Sequence, residues 1–312
     1  MVYSLLSQPP KSLLLAVLLT LLPTAAWGQA EPTAWQVTVN SNADTLDRND
    51  GQVTLREALT FLNGDRPLEK FSPRERLQIV PKAGKSRIQF QLPPDQTTIS
   101  LTQVLPEVQA PGVVIDGSSQ MQRQVDEVGT ETLIPLIALT PAPEAVVPQG
   151  LILVADEIQV KALSIYGFNQ PHTATAGSIV ANVVVAHPGA PPSASQGRDT
   201  PYYFPFRDSD RAPQNIMLMG NWIGQAPNQP PETPRSAHGI YILNAENLSI
   251  QDNVIAHHQG AGIVTGFRAE GTAIERNVLE ANGTAGLPDA IRLEGRVDRT
   301  LIHSTLLLQQ LR

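Results

Sequence analysis

The 312-residue chain contains no cysteine. Disulfides, thiolate metal sites and a lipid anchor on cysteine are therefore excluded, and stability has to come from packing alone. Aromatic residues are also scarce, with 3 Trp, 5 Tyr and 7 Phe. Charged residues make up only 16% and leave a net charge of −7. A nucleic-acid partner would call for a basic face, so none is expected. Long apolar runs are missing too. The longest, Leu13 to Leu22, is roughly half of the 20 or so residues that cross a bilayer. It follows the lone Lys11 and precedes Pro23 and small residues, with a Gly28-x-Ala30 exit that suits a signal peptidase. Residues 1–30 are thus expected to be a cleaved signal peptide. The protein would then be exported to the periplasm, the cell surface or the medium, with no stable membrane span.

What the chain has in quantity is turn formers, 27 Pro and 22 Gly, and a phrase that recurs between them. Leu218-Met219-Gly220-Asn221-Trp222-Ile223 returns as Ile250-Gln251-Asp252-Asn253-Val254-Ile255 and as Ile274-Glu275-Arg276-Asn277-Val278-Leu279. The Asn-to-Asn steps are 253 − 221 = 32 and 277 − 253 = 24 residues. A last copy, Ile302 to Leu307, carries Thr305 in the Asn position. Strand-sized units at such periods stack, each covering the apolar side of the next. A second strand per turn lies between the phrases, at 239–242, 262–265 and 290–293. Residues 86–312 are therefore expected to form the coils of an all-β, single-stranded parallel β-helix.

Ahead of the coils, residues 31–85 are expected to form a cap with a linker. Trp35–Asn40 alternates like a strand. Thr54-Leu55-Arg56-Glu57 is a capping box, and Leu55, Ala58, Leu59 and Leu62 make one apolar helical stripe. A short amphipathic helix there would lid the stack. Two insertions interrupt the coils, 187–213 and the Pro-rich 225–236.

The phrases resemble the repeats of the right-handed parallel β-helix, or pectate-lyase-like, superfamily. VTVNSNADTLDRNDGQVTLREAL, followed by RIQFQLP, TISL and VVIDG, is similar to the N-terminal cap and first coils of exported bacterial β-helix proteins. The resemblance covers roughly residues 35–312. It implies a fold, and it implies little about activity. Lyases of the superfamily hold calcium with carboxylates and use a Lys or Arg base, and its hydrolases cluster Asp pairs.

Against that background the candidate residues fall into classes. Asn221, Asn253 and Asn277 are expected to form a structural ladder of corner amides. Strand alternation sorts the outward side chains into columns: Gln251, Glu275, His303; then Asp252, Arg276, Ser304; then Tyr241, Val264, Arg292. No column gathers two carboxylates, which a glycosidase would need about 5–10 Å apart. The catalytic candidates are therefore only Asp252, Glu275, Arg276 and Arg292, with Asp252 over Arg276 reading first as an ion pair. Tyr202, Tyr203, Phe204 and Phe206, with Trp222, are the candidate carbohydrate-binding residues, since aromatic faces stack on pyranose rings. His238, His257, His258 and His303 lack metal-ligand spacing and read as exposed corner residues. The turn Asp44–Gly51 superficially resembles a Ca²⁺ loop, but Leu46 and Arg48 break its oxygen alternation and no Glu closes it. No cofactor or metal is expected, Ca²⁺ being the weak alternative.

Two functions follow. One is a non-catalytic, exported scaffold that binds a polysaccharide or cell-surface glycan. The other is a polysaccharide lyase or glycoside hydrolase. The final segment, LIHSTLLLQQLR, shows no polar cap, so its edge is expected to be open to end-to-end self-association.

Overall fold

Short strands with one apolar side need a partner above and below, and parallel pairing at constant register provides it. In the computed structural model, which describes residues 34–46, 50–125, 127, 129, 131–169, 179–188, 211–227, 236–285 and 289–308, the chain is mostly strand. It divides into two units, Met1–Pro32 and Thr33–Arg312. The first, including the expected signal peptide, lies outside the described residues, as do Tyr202, Tyr203, Phe204 and Phe206.

Three sheets carry the unit Thr33–Arg312. The first has nine strands, the second seven and the third five. From Val114 onward the chain visits first, second and third sheet in rotation, and each strand pairs in parallel with its counterpart one repeat on. On the first sheet Val37, Ile88, Ile115, Val160, Leu218, Ile250, Ile274 and Ile302 fall in register. The second sheet aligns Ile99, Leu139, Ile165, Ile223, Ile255, Leu279 and Leu307. The third aligns Leu151, Val183, Ile240, Ile263 and Ile291. Apart from the exposed Ile302 and Leu307, these columns face one another and make one continuous apolar core.

The turns between sheets explain the spacing of the repeats. Three corner columns adopt the left-handed conformation: Glu157, Asn215, Asn247, Gly271 and Arg299; Ala162, Gly220, Asp252, Arg276 and Ser304; Gly167, Gly224, His257 and Ala281. A non-glycine residue there costs on the order of 1–3 kcal/mol, so hydrogen bonding at the corner has to offset it. The Asn residues do this from inside. Asn221 Nδ2 donates to Asn253 Oδ1 at 3.0 Å, and Asn253 Nδ2 donates to Asn277 Oδ1 at 2.9 Å. The same oxygens accept the backbone N–H groups of Asn221 and Asn253. Where Thr305 replaces Asn, its hydroxyl still reaches back to the Ile274 carbonyl, at 3.2 Å.

At the N-terminal end the helix Leu55–Leu62 packs on the strand Ala34–Val39. Its capping box forms with both bonds in place. Arg56 is buried and bonds Asp44 Oδ1 at 2.7 Å and the carbonyls of Val104 and Gln103 at 2.9 Å. Thr102 takes the other Asp44 oxygen, at 2.7 Å from its backbone N–H. The carboxylate in the loop resembling a Ca²⁺ site is thus spent on tying cap to coil. Its pKa is lowered although burial opposes this, because the bonds from Arg56 and Thr102 outweigh desolvation.

Two elements depart from the sequence reading. Ile79–Lys82, read as linker, pairs antiparallel with Ala34–Val39 and makes the outer edge of the first sheet. Pro81 suits that place, since it has no N–H and an edge leaves one side of the ladder unpaired. Met121–Val125 and Glu131–Pro135 form a largely exposed antiparallel hairpin off the rotation. At the far end Leu301, Ile302, Leu306, Leu307 and Leu308 are 44–55% exposed. Among the described residues, no helix is long and apolar enough to cross a membrane.

Candidate functional site

Alternation along the third sheet places Tyr241, Val264 and Arg292 side by side on the face away from the main core, where Val264 is buried and Tyr241 packs partly against the apolar cluster of Ala181, Val184 and Leu243. Between Ile242 and Asn244 the register slips, because the neighbouring strand Ile263–Glu270 carries an extra residue. Such a bulge re-aims side chains and is frequent beside sites. Here it accommodates Gly266, where an added Cβ would already stand 3.3 Å from the Tyr241 ring. Thr265, fully buried, pins the next coil: its hydroxyl donates to the Glu294 carbonyl at 2.7 Å and accepts the Glu294 N–H at 2.6 Å. Gly295 completes the fit with φ 73°, and a Cβ on it would lie 1.8 Å from the Gly266 carbonyl oxygen.

Three charged side chains come together on this support. Arg292 donates from Nε and Nη2 to Asp289 Oδ2, at 2.8 and 2.6 Å, and its Nε lies 3.9 Å from Glu294 Oε1. Tyr241 sits beside them, half-buried, its hydroxyl pKa raised first by burial and then by Glu294, with Arg292 opposing. His238 meets the Tyr241 ring edge-on, centroids 6.1 Å apart. Asp289 and Glu294 were not among the sequence candidates. The alternation Arg292-Leu293-Glu294 contains the signal for Glu294, but Asp289 is reached only through the corner that precedes the strand. Gly295→Ala should force this segment off the bulge and lower stability by about 1–3 kcal/mol. Chemical denaturation of the variant checks this, and a loss within error would mean that the close approach is not needed.

The other candidates lie elsewhere. Asp252 and Arg276 occupy exposed left-handed corners after the first sheet. They form a two-bond pair, Nε to Oδ1 and Nη2 to Oδ2, both at 2.8 Å. Gln251 and Glu275 flank the same guanidinium, at 2.8 and 3.5 Å. Bonding and charge from Asp252 hold the Arg276 pKa above its already high range, so this group keeps its proton. It is therefore ill suited to be a base. The structure gathers Asp252, Glu275 and Arg276 at one corner and places Arg292 on a different sheet. Because the pair is solvated, Arg276→Ala should leave the melting temperature within error of the parent. A drop of several degrees would show the corner to be structural. Trp222 is half-buried on the second sheet, between Ser164 and Val254.

The corner histidines correct the sequence reading. His257 and His258 are buried, the latter completely. Gly224 and Gly239 leave room for the His258 ring, since an added Cβ on either would lie 3.0 Å or less from it. His258 Nδ1 lies 2.7 Å from Asn282 Oδ1, and Asn182 Nδ2 lies 3.0 Å from His258 Nε2. Asn282 Nδ2 donates to the Ile255 carbonyl at 2.9 Å, which fixes its oxygen as the acceptor. His258 is thereby assigned as the neutral Nδ1–H tautomer, with Nε2 accepting from Asn182. Burial pushes its pKa down to about 3, with the Asn282 bond opposing and His238 and His257 adding to the shift. Among the described residues, no group of three or more His, Cys, Asp or Glu is placed to hold a metal ion.

No family model matches the chain, and no curated protein matches it either.

Proposed function

We propose that the chain is an exported, right-handed parallel β-helix that holds a polysaccharide or cell-surface glycan against the outer side of its third sheet without cleaving it. The rotation of the chain through three parallel sheets, with left-handed corners between them, supports the solenoid reading. One observation carries the non-catalytic part. On the third sheet two of the three guanidinium nitrogens of Arg292, Nε and Nη2, are bonded to Asp289, and at the first corner Arg276 is bonded to Asp252. Side chains locked to one another are positioned to orient hydroxyl groups. A nucleophile or base needs a free, activated group instead.

The third sheet is also where the insertions attach. The strand Ala181–Val185 lies between residues 170–178 and 189–210, and Ile240–Glu246 follows 228–235. A lyase or hydrolase is the second reading, favoured by Asp289 and Glu294 both flanking Arg292 beside the phenol of Tyr241.

The test is release of reducing ends from a panel of plant, algal and bacterial polysaccharides, with and without Ca²⁺, run beside retention of the protein on the same polymers. Retention without release is expected. Protein-dependent release would establish the enzymatic reading, and Ca²⁺ dependence would make it a lyase.

A further inference from the structure

Lysine stops early in this chain. Its five lysines are Lys11, Lys70, Lys82, Lys85 and Lys161, and none follows. From 162 to 312 the cations are ten arginines against twelve Asp and Glu, a formal balance of 10 − 12 = −2. Five of the six described arginines of that half are engaged with carboxylates. Arg211 pairs with Asp156, Arg268 with Glu246 at 3.8 Å, Arg276 with Asp252 at 2.8 Å, Arg292 with Asp289 at 2.6 Å and Arg299 with Glu270 at 3.9 Å. Around Tyr241 the charges sum to −1, from Asp289, Glu294 and Arg292. At the first corner Asp252, Glu275 and Arg276 also sum to −1.

From this we infer that the glycan taken by the third sheet is neutral, a polymer of uncharged sugars, and that uronate or sulfated polymers are rejected there. The inference rests on the glycan-binding reading above. Recognition of a polyanion requires cations that gain a partner on binding. Arg292 is already neutralised by Asp289, and an incoming negative charge would face that carboxylate and Glu294 as well. A neutral sugar meets no such conflict. Its hydroxyls can donate to carboxylate oxygens while Arg292 stays paired, and the Tyr241 ring offers an apolar body with a polar tip. The bonds between Thr265 and the Glu294 backbone fix the strand end, and the bonds donated by Arg292 hold Asp289 in place beforehand, so binding need not order that pair.

A galacturonan in two forms separates charge from shape: fully methyl-esterified, hence neutral, and de-esterified, hence anionic. Affinity electrophoresis at fixed salt compares the two, with a neutral glucan and a neutral mannan alongside. Retention on at least one neutral polymer, at least about tenfold stronger than on the de-esterified galacturonan, is expected. In Asp289→Asn/Glu294→Gln the freed Arg292 should raise retention on the anionic form. Equal or stronger retention of the parent on the anionic form would overturn the inference while leaving glycan binding intact. Retention on none of the polymers would overturn both.

Discussion

Asn253→Ala should lower stability by about 3–5 kcal/mol and the melting temperature accordingly, the largest effect expected of any single truncation at a corner. Asn253 is 1% exposed and makes four side-chain bonds. Its Nδ2 donates to the Leu218 carbonyl at 3.0 Å and to Asn277 Oδ1 at 2.9 Å. Its Oδ1 accepts from the Asn221 backbone at 2.9 Å and from Asn221 Nδ2 at 3.0 Å. Truncation strands at least two buried polar groups with no water to replace the amide, each costing about 1–3 kcal/mol. Asn253→Thr should lose less, because the chain itself uses Thr305 at this position and keeps the bond to the carbonyl one coil back, Ile274. Urea denaturation of both variants decides the point. A loss under about 1 kcal/mol for the Ala variant would mean that the corners are held by backbone pairing alone.

The second large effect is on acid stability. His258 is neutral in the fold, with its pKa near 3, whereas an unfolded imidazole titrates near 6.5. Below pH 6.5 the unfolded chain binds a proton that the folded chain refuses, so stability is complete above that pH and falls as pH drops toward 3. A shift of 6.5 − 3 = 3.5 units corresponds to about 5 kcal/mol at the acid limit. Between pH 6.5 and 4.5 the loss should already reach about 2–3 kcal/mol, while most carboxylates are still ionised. The groups facing the ring are His238, His257, Asn182 and Asn282, and the two histidines make its protonation harder still. His258→Asn gives this position the residue found one coil on, Asn282. It should flatten the stability curve between pH 6.5 and 4.5. An unchanged slope in the variant would place the acid sensitivity elsewhere.

How far the sequence could be read depended on the length of the turns. The phrases around Asn221, Asn253 and Asn277 stood out because the corner between the first two sheets keeps a constant length. Gln251 over Glu275 and Asp252 over Arg276 could be aligned from that alone. The third sheet follows turns of varying length, so the columns there stopped at Arg292, and Asp289 and Glu294 went unseen. The bulge at Gly266 has no mark in an alternating pattern, since it appears only once neighbouring strands are paired. His257 and His258 looked exposed because a corner usually is, and the close approach of Gly224 and Gly239 from the preceding coil to the His258 ring is a tertiary effect. Ile79–Lys82 looked like linker because Pro and Lys weaken a strand reading, while an edge tolerates both.

The central claim is that the outer side of the third sheet is the recognition surface. It is tested most directly by affinity electrophoresis of Tyr241→Ala, Arg292→Ala and Arg276→Ala on a polysaccharide that retains the parent. Both third-sheet variants should lose retention by about tenfold or more, with Arg276→Ala matching the parent. Retention that survives both third-sheet substitutions, or that is lost in Arg276→Ala, would contradict the account.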